Sequence, residues 1–101
     1  MFYPATIAVI RDKIKERYPQ LKAKESNPKT ARSTSGVAAH ILWMCNKIEV
    51  MPESIPDAAK AGRWIGWILH AIERDLCLWD NDTSRALVHE DVKNEADIPH
   101  F

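Results

Sequence analysis

Between Asp57 and Trp79 the apolar residues Ala61, Ile65, Ile68, Ile72, Leu76 and Trp79 recur at steps of three and four. An α-helix brings such positions onto one side because about 3.6 residues complete each turn. A strand would scatter them over both faces. The run therefore predicts a long helix with one apolar stripe, flanked by Trp64 and Leu69, and other elements must cover it. Ala58, Gly62 and Gly66 form a second strip, each four residues from the next. Glycine inside a helix costs about 1 kcal/mol relative to alanine. Two on one line predict the close approach of a neighbouring backbone; a ligand resting on the glycines is the alternative.

Three further helices read from the same logic. The first runs from about Pro4 to Tyr18, with Ile7, Ile10, Ile14 and Tyr18 on one face and Pro19 as its stop. The second includes Val37 to Val50, with Val37, Ile41, Met44, Ile48 and Met51 as its stripe. Its start is open between Pro28, which follows the cap-like Asn27, and Ser33 or Thr34. Leu42, Trp43 and Cys45 make it apolar on several sides, as in a helix buried against more than one neighbour. A two-proline connector, Met51 to Pro56, folds helix three back on helix two. A fourth helix spans about Thr83 to Asn94, with Leu87, Val88 and Val92 inward and Asp80 or Asp82 at its start. No run alternates like a strand. The expected fold is all-α: one domain over residues 1–101, a small antiparallel bundle of about four helices with helices two and three as its central hairpin. A basic loop at about 19–32 and a loosely ordered tail at about 95–101 complete it.

Composition excludes several classes. The hydrophobic fraction is 46%, enough for a core. Formal net charge is zero, without the positive excess of a general nucleic-acid coat. The charge is uneven, however: residues 11–32 hold eight basic and three acidic side chains, and residues 80–101 hold two basic and six acidic. Either the two ends attract each other or are solvated, or the basic stretch meets an acidic partner. The apolar start lacks the basic lead and cleavage site of a secretory signal, and no apolar run is long enough for a bilayer. Two cysteines, Cys45 and Cys77, make no disulfide framework; both lie in apolar runs as small core residues would. A cytoplasmic location follows as the default.

Catalytic and metal signatures are weak. His40, Cys45, His70, Cys77, His89 and His100 show no short metal-ligand spacing. There is no nucleophile elbow, and Gly62 to Gly66 lies inside a helix where backbone amides are engaged. No enzyme activity, cofactor or metal is expected. The feature that points to function is a ridge on helix three: Arg63, Trp67, His70 and Arg74, spaced by four, three and four residues, with Lys60 beside it. Tryptophan among cations suits a protein-binding hot spot, and self-association as a homodimer would also cover Trp43 and Trp67. The competing structural reading packs Trp67 under the first loop or helix four and lets the arginines reach outward. A second binding surface is the basic segment Lys22, Lys24, Lys29 and Arg32, which would suit nucleic acid. The expected function is thus a non-enzymatic protein-interaction or regulatory module, with a nucleic-acid-binding accessory role as the alternative.

Overall fold

The computed structural model describes residues 1–25 and 33–96, with side chains of the last helix described as far as Asp91. Pro4 opens α1 (Pro4–Arg17), and the residue before it, Tyr3, sits in the left-handed region at φ 50° without a capping side chain. Ile7, Ile10 and Ile14 are fully buried, as their spacing predicts. Ser33 starts α2 (Thr34–Glu49) by accepting a 3.1 Å hydrogen bond from the amide of Gly36, which places the open boundary at its later alternative. The Asn27–Pro28 alternative lies outside the described residues.

Ser54 caps α3 (Ile55–Ala71): its hydroxyl accepts from the amide of Asp57 at 3.3 Å and donates to the Asp57 carboxylate at 2.6 Å. The helix does not run on to Trp79. It widens into a π-helical turn, Ile72–Leu76, and ends at Cys77, which takes up the left-handed conformation at φ 51°. In α geometry the successive four-residue steps from Ile68 to Ile72 to Leu76 drift around the helix. The wider i→i+5 turn offsets that drift and keeps Ile72 and Leu76 both buried. Cys77, expected among the core residues, is exposed because the chain turns there; its Sγ lies 3.5 Å from the carbonyl oxygen of Arg74. Asp80 then starts α4 (Asn81–Ala96) by accepting from the amide and hydroxyl of Thr83. These bonds hold the Asp80 carboxyl below its ordinary range.

The result is a small all-α bundle. Helix α2 lies centrally, against α1, α3 and the π turn, which explains why it is apolar on several sides. Ile41, Cys45 and Ile48 share one buried core with Ile7, Ile10 and Ile14 of α1 and with Ile65, Ile68 and Ile72. Helix α4 packs mainly on α1 and stands off α3. Its anchor is polar: Asp91, only 3% exposed, accepts from the amides of Ala5 (3.0 Å) and Thr6 (2.8 Å) and from the Thr6 hydroxyl. These are donors of the α1 N-terminus that Tyr3 does not cap. Asp91, which composition places on a solvated acidic helix, is thus the cap of a helix 85 residues away in sequence. Helix α4 also continues to Ala96, past the start expected for the loose tail. The inward position of Val92 and the tail at 97–101 lie outside what is described.

The glycine strip also differs from expectation. A Cβ on Gly62 would meet the Tyr3 hydroxyl at 3.5 Å, an ordinary contact, and one on Gly66 would meet nothing within 4 Å. Among the described residues no neighbouring backbone comes within 4 Å of a Cβ at either site.

Two outcomes follow for stability, each measured by urea denaturation. Asp91→Ala should destabilise by about 2–3 kcal/mol, since it leaves buried donors unpaired at a helix start. A change below about 0.5 kcal/mol, the size of a surface substitution, would show that the cap is not needed. Gly66→Ala should stabilise by up to about 1 kcal/mol, because the helix gains propensity and the new methyl meets open space.

Candidate functional site

Helices α2 and α3 close on each other along a seam of aromatic rings. On α2, His40, Trp43 and Lys47 are three and four residues apart; on α3, Lys60, Trp64 and Trp67 are four and three apart. Each set therefore shares one side of its helix. The hairpin turn brings the two sides together just outside the isoleucine core. His40 stacks on Trp43 with ring centroids 5.5 Å apart, Trp43 stacks on Trp64 at 5.9 Å, and Trp67 meets His40 edge-on at 5.6 Å. These separations and tilts are the favoured ones for aromatic pairs. His40 is buried at 8% exposure, whereas all three indoles are half-buried. The Lys47 ammonium lies over Trp43 (5.5 Å) and that of Lys60 over Trp64 (5.0 Å), so cations border the seam on both helices.

The segment after α1 forms a third wall. The amide of Lys24 donates to the carbonyl of Ala39 at 3.1 Å, which lays residues 21–25 along α2 and sets Glu25 beside the rings. Glu25, His40, Trp43, Met44, Trp64 and Trp67 enclose a groove of about 400 Å³. Burial pushes the His40 pKa below its ordinary value, and the Glu25 carboxylate opposes that shift. Burial thus disfavours the protonated ring.

The ridge read from the sequence divides in space. Trp67 turns toward α2 and joins the seam, so it is partly packed and partly open to solvent. His70 lines a different groove, on the α4 side. Arg63 and Arg74 are exposed, and Arg74 lies 3.6 Å from Asp75 in a solvent-screened ion pair of little energetic weight. Lys22 and Lys24 of the basic segment are exposed; Lys29 and Arg32 lie outside the described residues. Stripe analysis alone does not single out His40, Trp43 and Trp64. The signal that could have found them is the paired Trp–Lys spacing on two helices joined by a short connector.

Reactive chemistry is sparse among the described residues. Burial pushes the Cys45 thiol up to about 12, so it stays protonated and is a poor nucleophile. No three His, Cys, Asp or Glu side chains among the described residues come together as a metal site. No helix among them is long and apolar enough to cross a membrane.

The His40 shift has a signed consequence. As pH falls through the ordinary histidine range, the unfolded chain takes up a proton at this position before the folded protein does. The site's stabilising contribution is full above that range and is lost as pH falls toward the lowered folded value. The urea midpoint of the wild type should therefore drop between about pH 7.5 and about pH 5.5, and His40→Gln should drop less. Equal drops would place the pH sensitivity elsewhere. The chain matches no family model, no curated protein and no solved structure, so the geometry alone carries its functional reading.

Proposed function

We propose that this chain is a small non-enzymatic protein-interaction module that acts as a homodimer through the aromatic seam. The observation that carries the reading is the stacked Trp43–Trp64 pair continued by Trp67, three half-buried indoles contiguous across two helices. Tryptophan offers a large apolar face with little side-chain entropy to lose, and it is enriched at the buried centres of interfaces. The rim suits a second copy of the same surface. It holds two ammonium groups, Lys47 and Lys60, and one carboxylate, Glu25. A twofold arrangement places the same patch on both subunits, so each Glu25 can face a lysine of the other.

The nucleic-acid alternative has weaker support. Lys22 and Lys24 could take phosphates, but the indole faces on which bases would stack already carry Lys47 and Lys60.

Sedimentation equilibrium on the wild type, Trp64→Ala and Trp67→Ala tests the reading. The wild type should be dimeric, and loss of either indole should weaken association on the order of thirtyfold, as for an interface residue worth about 2 kcal/mol. Salt should change it only modestly. A wild type that stays monomeric throughout the accessible concentration range would refute self-association.

A further inference from the structure

Between α3 and α4, the gap left where α4 leans onto α1 forms a second groove of about 590 Å³. That volume falls within the roughly 300–1,000 Å³ of small-molecule sites. Its lining joins an apolar floor to a row of cationic and N–H-bearing side chains. Leu69 and Val88 face it from α3 and α4, and Gly66 opens the floor between them. Gly66 has no packing reason to be glycine, since a Cβ there would meet nothing within 4 Å. A helix-interior glycine that packing does not require keeps the groove deep at that point.

Arg85, His70 and His89 line the same groove, all exposed, and their side chains have no ion pair or hydrogen bond among the described residues. The one carboxylate in the lining, Glu73, is engaged: Asn81 Nδ2 donates to its Oε1 at 2.9 Å. That pair closes the end of the groove nearest the turn into α4. Gly66 and His89, seven and eight residues beyond Glu73 and Asn81 on their helices, stand on the order of 10 Å away at 1.5 Å per residue. His89 therefore lies toward the open end, whereas His70 and Arg85, three and four residues from Glu73 and Asn81, lie in the middle, about one turn from that pair. They do not converge on a metal ion with Glu73.

We infer that this groove binds a small amphipathic monocarboxylate, with its apolar body over Gly66, Leu69 and Val88 and its carboxylate held by Arg85 with His70 and His89. A guanidinium fork matches a carboxylate in two parallel hydrogen bonds, and each imidazole adds an N–H donor. One permanent cation suits one negative charge. This inference is independent of the homodimer reading, because the groove shares no lining residue with the seam.

Titration of the full chain with octanoate, followed by backbone amide and indole N–H NMR shifts, tests it, with octanol as the uncharged control. Octanoate should shift the amides of Gly66, Leu69, Arg85 and His89 saturably and far more than octanol does. Arg85→Gln should weaken the effect about tenfold or more, and Gly66→Leu should abolish it by filling the floor. Should Gly66→Leu fail to fold, the surface variants Arg85→Gln and His89→Gln decide. The inference is overturned if octanoate produces no saturable shift at millimolar concentration, if octanol acts equally well, if Arg85→Gln leaves binding unchanged, or if the shifts fall on the indoles of Trp43, Trp64 and Trp67.

Discussion

The arrangement of this bundle depends on how one helix start is satisfied. Helix α1 begins at a proline preceded by Tyr3, which offers no side-chain acceptor, so the amides of Ala5 and Thr6 need a partner from elsewhere. Thr6 is fully buried, so bulk water is a poor substitute. Asp91 meets this need with one carboxylate that accepts from both amides and the Thr6 hydroxyl, and Thr6 also donates to the carbonyl of Leu87 at 3.3 Å. A negative charge at that position also complements the helix dipole. Among the described side chains of α4, Leu87 and Val88 are half-buried while Ser84 and Asp91 are buried, so polar contacts take part in its docking.

The anchor also shapes the rest of the surface. Because α4 goes to α1, one side of α3 stays uncovered and becomes the groove lined by Gly66, His70 and Arg85. Another side meets α2, where the isoleucine core runs out into the Trp–His seam. One helix thus presents two surfaces of different chemistry. The seam is aromatic and bordered by lysines. The α4-side groove is open, with an aliphatic floor and unpartnered nitrogen donors. The two share no lining residue.

Legibility in the sequence varied by physical cause. The core isoleucines were readable because burial of a helix face leaves a periodic trace that no other element imposes. Helix starts at Pro4 and Asp80, and Ser33 as one of two alternatives, were readable because capping is local chemistry, whereas the Ser54 cap lay inside what reads as a two-proline connector. The π turn and the left-handed Cys77 were not, since they follow from keeping Ile72 and Leu76 on the core rather than from any residue that marks a break. Gly62 and Gly66 misled for a similar reason: a missing Cβ is equally consistent with a close backbone and with open space. Arg63, Trp67, His70 and Arg74 follow one another at helical spacing, yet they part because Trp67 leans toward α2 while His70 lines the α4-side groove.

Sequence by itself determined the class of fold, the number of helices, the identity of most core residues and the absence of strand-like patterning, all of which rest on periodicity and local capping within a few turns of chain. Tertiary structure decided which helix neighbours which, that Asp91 is a buried cap rather than a solvated charge, that His40 sits buried among tryptophans, and that Gly66 faces a groove. Each of these depends on contacts between residues tens of positions apart. Such contacts leave little trace in local spacing, because a polar group or a glycine reads the same until its distant partner, or the lack of one, is known.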